Sequence, residues 1–352
     1  MTITNDSQLL KNGEDRPRVS VVIPIRNEEE YLPQCLNSIL RNDYPHEYME
    51  ILVVDGMSTD GSRAIVESYM KRYPYIKLFD NPKIIQASAM NIGLLNAEGD
   101  IIIRMDAHTV YDSDYIRQCV YYLENTEAVN VGGAQRAVGT DFITEAIAIT
   151  TTSPFGIGDA RFRYSNQEEW VDTVYLGAWK KRDLEVIGGF NEDWAINEDY
   201  ELNHRLRERI GQILLTPHIR SRYYVRSNIG SLARQYFRYG QWRVKTLVAY
   251  PESLRWRQLI PPVLTLALAV SLILLAIIPN IALVLPASYV LISLVASTYT
   301  AKSQGFRYIV VLPFLFMVVH LSWGIGFWSG LVAFGVPRLS WRTLLRAFRS
   351  PA

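Results

Sequence analysis

The sequence predicts an α/β domain with a mostly parallel sheet, followed by a group of membrane-spanning helices. In the N-terminal part of the 352-residue chain, short β-branched runs alternate with helical stretches, which is typical of parallel strands joined by right-handed crossovers. In the C-terminal part, three nearly uncharged runs occupy residues 259–278, 281–298 and 309–334. Each run is about long enough to cross a ~30 Å hydrocarbon core as a helix, and three in series favour membrane helices over a buried helical core.

The first strand is expected at residues 19–24. Arg26 to Glu30 are expected to open a helix that continues to Leu40, because acidic residues in a first turn suit the helix dipole. Residues 151–156 are expected to form an exposed, mobile loop. The other apolar runs and turn signals predict strands at 50–55, 76–79, 101–103, 128–133 and 171–179, and helices at 62–72, 86–96, 111–125 and from 197 onward.

Two candidate metal ligands, Asp106 and His108, follow the predicted strand at 101–103. The C-terminal ends of the strands are where an open α/β sheet forms its ligand crevice. A carboxylate and an imidazole can hold a divalent cation, and such a cation can neutralise a diphosphate. A strand end with a capping Asp and a surface His is the alternative. Asp55 ends the second strand on the same edge of the predicted sheet, which favours a nucleotide site.

Composition limits the kinds of partner. The net charge is +1, so bulk electrostatics give no reason to expect nucleic acid. Cys35 and Cys119 are the two cysteines, too few for a disulfide framework, and they indicate reduced thiols in the cytosol. Residues 1–18 are polar and are expected to be a flexible tail and not a secretory signal.

An aromatic and basic helix is predicted immediately before the first apolar run. Its residue types suit the membrane–water boundary, and a solvated linker helix is the alternative. The residues concerned are Arg234, Gln235, Arg238, Tyr239, Trp242 and Arg243. The expected organisation is therefore a tail at 1–18, an α/β domain at 19–227, amphipathic interface helices at 228–258, a membrane region at 259–336 and a basic C-terminal segment at 337–352.

The basic residues leave the membrane topology open. Lys302 and Arg307 flank the loop after the second apolar run, consistent with a cytosolic side. Three full spans would then place the basic C-terminal segment outside, against the positive-inside tendency; its arginines are Arg338, Arg342, Arg346 and Arg349. Either the third run is re-entrant, with a bend near Gly324, Gly326 or Gly330, or the C-terminal segment is an exception.

Four separated motifs resemble the family-2 glycosyltransferases with the GT-A fold, over about residues 19–242. Within that family, the chain is most similar to bacterial membrane enzymes of exopolysaccharide synthesis, of the succinoglycan type. In chain order the motifs are VVIPIRNEE at 21–29, VDGMSTDG at 54–61, DAH at 106–108 and NED at 197–199. The resemblance implies a GT-A catalytic domain, which has a Rossmann-like, mostly parallel mixed sheet, at 19–227.

The resemblance implies a role for each motif. Pro24, Arg26 and Glu28 would line the nucleotide pocket. Asp55 would accept a hydrogen bond from the base of a uridine-type nucleotide, as a carboxylate can from an imide N–H, while Asp60 would cap the next helix.

DAH stands where the family usually has Asp-x-Asp. Asp106 would therefore bind Mg²⁺ or Mn²⁺, and His108 would touch the metal directly or through water. Asp199 would be the catalytic base that takes the proton from the acceptor hydroxyl, and its alternative is a structural acid in a first helical turn.

A fifth, looser match is Gln235-x-x-Arg238-Tyr239, which resembles the Gln-x-x-Arg-Trp motif of processive synthases. It implies that Arg238 approaches the diphosphate and Tyr239 the acceptor sugar, with Gln235 and Glu198 on the same acceptor and diphosphate side. Met90 stands where the family usually has an arginine before Asn91 and Gly93. Arg104 or Arg238 would then supply the cation for the donor phosphate. Residues 188–190, Gly-Gly-Phe, match the family's loop before the base.

The resulting expectation is an inverting, metal-dependent glycosyltransferase in the inner membrane, multi-pass and with a cytosolic catalytic domain. It would move a sugar from an NDP-sugar, a UDP-sugar by resemblance, to a polyprenyl-diphosphate-linked saccharide, in contact with other polysaccharide-synthesis enzymes. The alternatives are a processive synthase, an enzyme that makes polyprenyl-phosphate sugars, and a non-catalytic membrane scaffold. Intact acids at positions 55, 106 and 199 disfavour the scaffold.

Overall fold

A computed structural model describes residues 16–158, 160–225 and 228–349. Most of the tail expected at 1–18 and the last residues of the basic segment, 350–352, lie outside the described residues. The chain divides into two compact units. Unit 1 combines Met1–Arg136 with Ser165–Tyr223, and unit 2 combines Ala137–Tyr164 with Tyr224–Ala352.

The elements are numbered in chain order. The strands are β1 (Val19–Ile25), β2 (Met49–Asp55), β3 (Ile76–Asp80), β4 (Ile101–Arg104), β5 (Thr109–Tyr111), β6 (Ala128–Gly133), β7 (Gln135–Val138), β8 (Glu169–Val171), β9 (Tyr175–Lys180), β10 (Gln212–Leu215) and β11 (Ser221–Tyr224). The helices up to residue 209 are α1 (Leu32–Leu40), α2 (Ser62–Met70), α3 (Gln86–Asn96), α4 (Tyr115–Asn125), α5 (Phe142–Thr152), α6 (Pro154–Ile157), α7 (Lys181–Ile187) and α8 (Glu198–Arg209). They are followed by α9 (Ile229–Ala249), α10 (Ile260–Leu274), α11 (Pro279–Ala282), α12 (Val284–Gln304), α13 (Leu312–Phe334) and α14 (Trp341–Arg349).

The main sheet has the strand order β3-β2-β1-β4-β9-β6-β10-β8, and a smaller sheet has the order β5-β11-β7. In the main sheet β1 pairs in parallel with β2 and β4, and β2 with β3. Strand β9 runs antiparallel between β4 and β6, and β6 is parallel to β10. The predicted α/β class with a mostly parallel, mixed sheet is confirmed.

Both faces of the parallel strands are covered, as the continuous apolar runs in the sequence require. On β1, Val19, Val21 and Ile23 belong to one buried apolar cluster, and Val22 belongs to the cluster on the opposite face. Helix α3 approaches this second face so closely that a Cβ on Gly93 would lie 2.4 Å from a methyl group of Val22. The sheet therefore forms a rigid support for the loops at its edge.

Two of the predicted helix starts are wrong. Residues 26–30 are not helical, because their backbone groups bond to the loop after β2: Glu28 N donates to Ser62 Oγ at 2.7 Å. Helix α1 begins at Leu32. The helix predicted at 111–125 begins at Tyr115, because Tyr111 ends strand β5 and pairs with Ser221.

The strand predicted at 171–179 is two strands, and the loop predicted at 151–156 is largely helical. Strand β8 pairs with β10 and β9 with β4, and between them Thr173 Oγ1 accepts a hydrogen bond from Asn203 of α8 at 2.8 Å. Helix α5 reaches Thr152, and its buried Thr150 and Thr151 donate their hydroxyls to carbonyls one turn back. That local bonding lets threonine hydroxyls be buried in a helix.

Among its described residues, unit 2 has three helical segments that are long and apolar enough to cross a membrane: Trp256–Leu274, Pro279–Gln304 and Leu312–Phe334. The third is one continuous helix, so the alternative of a re-entrant run with a bend near Gly324, Gly326 or Gly330 is wrong. These glycines are contact points. A Cβ on Gly326 would lie 2.0 Å from the carbonyl oxygen of Phe237 on α9.

Gly326→Ala is expected to lower the melting temperature of the detergent-solubilised chain, because one methyl group would overfill the contact between α13 and α9. Overpacking of this kind costs ~1–3 kcal/mol. Gly230→Ala on α9 is the matched control, since its Cβ would come no closer than 3.4 Å to Asn228 Oδ1 and alanine favours the helix. Thermal unfolding of both variants measures the difference, and equal melting temperatures would contradict the packing argument.

Candidate active site

The strand order places two of the predicted acids at one edge of the main sheet. Asp55 is the last residue of β2, and Asp106 follows β4 by two positions. Both strands are parallel neighbours of β1. Adjacent strands lie ~4.8 Å apart, so the two strand ends are separated by about two strand spacings. Pro24 is the next-to-last residue of β1 at the same edge and is partly buried, and Arg26 follows the strand with an exposed side chain.

The loops after β1 and β2 are bonded to each other. Asn27 has a left-handed backbone (φ 55°), and its side-chain oxygen accepts from Thr59 N at 2.8 Å. Glu29 N donates to Asp60 Oδ2 at 3.1 Å, and Gly61 N donates to Glu29 Oε2 at 2.7 Å. We call residues 26–30 and 56–62 the tied loops. Together they form one preorganised wall of the candidate site.

Asp55 lies beneath the tied loops and is almost fully buried, at 1% exposure. Its Oδ1 accepts from the backbone N and the hydroxyl of Ser58, at 3.0 and 2.6 Å. Its Oδ2 is 3.4 Å from Arg63 Nη1. Asp60 stands next to Gly61, the residue that caps α2, and accepts from Ser62 N at 3.0 Å. The Asp55 carboxylate is therefore fixed in place before any ligand binds.

Arg104 joins the two ends of the site. Its Nε lies 3.3 Å from Asp106 Oδ1 and its Nη1 3.1 Å from Glu198 Oε1. All three side chains are buried. Burial alone would lower the pKa of Arg104, but the carboxylates of Asp106, Glu198 and Asp199 raise it well above its usual range. Arg104 therefore stays charged, and its contacts in the structure are with carboxylates.

Asp106 is held on several sides. Its backbone N donates to the Tyr111 hydroxyl at 2.6 Å, and that hydroxyl donates to the Asp106 carbonyl oxygen at 3.1 Å. Gln86 Nε2 donates to Asp106 Oδ1 at 3.3 Å. Neither Tyr111 nor Gln86 was among the residues expected from the sequence, since no local pattern relates them to Asp106.

Glu198 and Asp199 begin helix α8 and face different surroundings. Glu198 is buried against Arg104, while Asp199 is partly exposed. The preceding Asn197 has a left-handed backbone (φ 61°), a conformation that asparagine tolerates better than most residues. The turn thus points the two neighbouring acids into a buried and an accessible position.

Burial raises the pKa of Glu198 from 4.5 to about 7, with Asp199 adding to the rise and Arg104 opposing it. Between these pH values the folded chain holds a proton that the unfolded chain has lost. Stability therefore falls as the pH rises from 4.5 to 7, by up to about 3 kcal/mol from this group. Glu198→Gln is expected to remove this decrease. Melting temperatures of both proteins across that range, in EDTA, provide the measurement, and parallel curves would contradict it.

The loop before α8 is fixed by residues that the sequence did not single out for this role. Asn91 bonds both backbone groups of Phe190, accepting from its N and donating to its O at 2.8 Å each. Arg205 donates to the carbonyl oxygens of Ile187 and Gly189, also at 2.8 Å each. These bonds hold the Gly-Gly-Phe loop, and through it the start of the helix that carries Asp199.

His108 lies beside Glu28, with 3.2 Å between His108 Nδ1 and Glu28 Oε1. Over the described ranges, no three His, Cys, Asp or Glu residues are grouped for metal binding. Asp106 and His108 nevertheless suit a Mg²⁺ or Mn²⁺ site, because such ions are commonly held by one or two protein ligands together with substrate phosphates. A carboxylate on one imidazole nitrogen is the usual arrangement when the other nitrogen binds a metal.

The residues of the Gln-x-x-Arg-Tyr match lie in unit 2, on α9. Gln235 Nε2 donates to the Tyr239 hydroxyl at 2.9 Å, one helical turn away. Arg238 is exposed. The motif thus presents a bonded Gln–Tyr pair and a cation that lies at the surface of this unit.

The mixed α/β sheet, with acids at the ends of β2 and β4, defines a glycosyltransferase of the GT-A class. The family model described as glycosyl transferase family 2 matches residues 20–187. The chain is 31% identical over 316 residues to the succinoglycan biosynthesis protein ExoA of Rhizobium meliloti, covering 89% of this chain and 95% of that protein. The chain belongs to the family-2 glycosyltransferases, and the resemblance stated from its motifs is confirmed.

Two further proteins are similar. A dolichyl N-acetyl-alpha-D-glucosaminyl phosphate 3-beta-D-2,3-diacetamido-2,3-dideoxy-beta-D-glucuronosyltransferase of Methanococcus voltae is 29% identical over 232 residues, 63% of this chain and 71% of that protein. The mannosyltransferase PcManGT of Pyrobaculum calidifontis, solved with GDP-Man and Mn²⁺, has a TM-score of 0.58 at 18% identity and covers 90% of this chain and 88% of its own. The structural likeness confirms the GT-A fold.

Proposed function

We propose that this glycosyltransferase moves a sugar from a UDP-sugar to a hydroxyl of a polyprenyl-diphosphate-linked saccharide, with inversion at the anomeric carbon. The observation that carries the proposal is the accessible Asp199 next to the buried Arg104–Glu198 pair. A single accessible carboxylate suits direct displacement, in which it removes the proton of the attacking hydroxyl. The relatives named for succinoglycan biosynthesis and for a dolichyl-phosphate-linked sugar support a lipid-linked acceptor.

In this proposal the tied loops bind the nucleoside. The Asp55 carboxylate accepts a hydrogen bond from the base, and Pro24, Arg26 and Glu28 line the same pocket. Asp106 and His108 hold Mg²⁺ or Mn²⁺, which when bound offsets the charge of the leaving diphosphate. Arg104 keeps the carboxylates of Asp106 and Glu198 in position.

On the acceptor side, Asp199 binds the attacking hydroxyl and takes its proton. Gln235, Arg238 and Tyr239 bind the diphosphate and sugar of the acceptor. Glu198 contributes to the acceptor side indirectly, through its ion pair with Arg104. We place the catalytic domain, residues 19–227, in the cytosol beside the inner membrane, with the interface helices at 228–258 and the membrane region at 259–336. Other polysaccharide-synthesis enzymes are its proposed partners there.

His108→Ala is expected to weaken Mn²⁺ binding at least tenfold, because it removes one of the two proposed protein ligands. Glu28→Gln is expected to weaken it less than His108→Ala does, because Glu28 would act on the metal only by orienting the His108 imidazole. His46→Ala is the matched histidine control, because His46 comes just before β2, at the end of that strand opposite Asp55. Electron paramagnetic resonance of free Mn²⁺ during titration of the purified chain gives the affinities. Identical curves for wild type and His108→Ala would remove His108 from the metal site.

The reaction is tested with a panel of radiolabelled UDP-, GDP- and dTDP-sugars, membranes that contain the enzyme, and a lipid extract as acceptor. Transfer of label from a UDP-sugar into the organic phase, lost in EDTA and restored by Mn²⁺, is expected. The anomeric configuration of the product, read by linkage-specific glycosidases, tests inversion. Polymer that elongates in the aqueous phase would favour the processive synthase, and label only on polyprenyl monophosphate would favour an enzyme that makes polyprenyl-phosphate sugars.

A further inference from the structure

The segments that flank the apolar helices of unit 2 contact one another. After α13, Ala347 of α14 belongs to the same buried cluster as Val244 and Leu247 of α9 and Leu254, which lies just before α10. Leu339, between α13 and α14, packs against this cluster too. The chain therefore leaves α9 for the first apolar helix and returns to α9 after the third.

The loop between the second and third apolar helices also returns to this side. Arg307 lies 2.6 Å from Glu145 of α5, and the Tyr308 hydroxyl donates to the same carboxylate at 2.6 Å. Tyr308 shares a buried cluster with Leu232 of α9 and with Ile147 of α5. After α10 and α12, the chain is thus back beside the start of α9.

Helix α13 stays along α9 for its whole length. Its first half shares the cluster that contains Leu232, and the ring of its last residue, Phe334, contacts the Trp242 ring at a tilted angle, with 5.5 Å between the ring centroids. The close glycine contacts lie between: a Cβ on Gly240 would be 2.1 Å from the carbonyl oxygen of Trp323. The two helices run parallel, and 39% of the α13 segment is buried, against 11% and 17% of the segments that contain α10 and α12.

Helix α9 has the charge of a surface helix and not of a spanning one. Arg234 and Arg238 are exposed, Arg243 donates to Ser253, and Lys245 lies over the Trp242 ring. Cations along the full length of a helix favour the headgroup region over the hydrocarbon core. Helix α13 is parallel to α9 and contacts it at both ends. We therefore expect α13 to lie in the headgroup region as well.

We propose that α10 and α12 cross the bilayer and that α13 does not, so that the basic helix α14 lies on the α9 side against the lipid headgroups. Three crossings would separate Ala347 from Leu254 by the thickness of the hydrocarbon core, ~30 Å, but the two share one cluster. Two crossings also put the flanking cations on one side, as the positive-inside tendency requires; they are Arg255, Arg257, Lys302, Arg307 and the four arginines of the basic C-terminal segment. The opposite loop, 275–283, carries no charge.

Single cysteines test this arrangement in intact cells whose outer envelope has been made permeable. Asn280→Cys reports the loop between α10 and α12, Ser303→Cys the end of α12, and Ser340→Cys the start of α14; all three positions are exposed. Native Cys35 and Cys119 are buried, and the wild-type chain gives the background. A membrane-impermeant maleimide is expected to label Asn280→Cys in intact cells, and the other two only after the cells are opened.

Labelling of Ser340→Cys together with Asn280→Cys in intact cells would establish a third crossing and overturn the proposal. Protection of all three until the cells are opened would show that α10 and α12 do not cross, which also overturns it. If a cysteine variant does not accumulate, fusions at the C-terminus of the full chain give the same information. A fluorescent GFP fusion and an inactive alkaline phosphatase fusion are expected, and the reverse pair contradicts the proposal. Neither readout depends on glycosyl transfer.

Discussion

Asp199→Asn is expected to lower the rate of sugar transfer by ~10²–10⁴-fold, the contribution of one positioned general base. Asparagine keeps the size of the side chain but cannot take the proton of the acceptor hydroxyl. Binding of the donor nucleotide should change little, because Asp55, Asp106 and the tied loops are untouched. Single-turnover transfer from labelled donor measures the rate, and titration calorimetry with UDP measures binding.

The matched control is Asp193→Asn, in the loop just before α8, where the residue is exposed. Near wild-type transfer is expected for this variant. Transfer by Asp199→Asn at the wild-type rate would refute the assignment of the base. A parallel loss of UDP affinity and transfer would instead place Asp199 in the donor site.

Arg104→Met is expected to have the largest effect on stability. It removes the guanidinium that bridges Asp106 and Glu198 and leaves both carboxylates buried without their partner. Breaking a buried ion pair by removing one member costs ~3–5 kcal/mol, which corresponds to a fall in melting temperature of about 10 °C for a unit of this size. Differential scanning fluorimetry of the detergent-solubilised chain provides the measurement.

The double variant Arg104→Met/Glu198→Gln is expected to recover part of this loss, because one of the unpaired charges is gone. Arg18→Met is the control, since that side chain is 53% exposed and its ion pair with Glu98 lies at the surface, where such pairs contribute ~0–1 kcal/mol. A melting temperature for Arg104→Met equal to that of the control would show that the buried carboxylates do not depend on Arg104.

The sequence predicts those parts of the fold that local patterns determine. The β-branched runs of β1, β2 and β4 indicate buried strands, and the strand–helix alternation orders them, so the common edge of Asp55 and Asp106 follows. Helix α5 begins with a capping box at Asp141 and Thr144 and extends to Thr152, although its last residues are polar threonines. Their hydroxyls bond within the helix, which a count of polar residues does not reveal.

Contacts between distant residues were not predictable in this way. Arg104 and Glu198 are 94 positions apart, and the pairing depends on the antiparallel insertion of β9 next to β4. The support of Phe190 by Asn91 and the position of Glu28 beside His108 are of the same kind. In each case the packing of whole elements decides which polar groups meet. A single sequence, read by itself, carries no trace of that packing.

The tied loops have a thermodynamic consequence for donor binding. Their hydrogen bonds already exist in the free protein, so the conformational entropy of ordering them is lost during folding and not when the nucleotide arrives. Recognition of the base then requires little further ordering of the tied loops. Donor capture is therefore expected to show fast association and a small heat-capacity change, without the signature of a segment that folds upon binding.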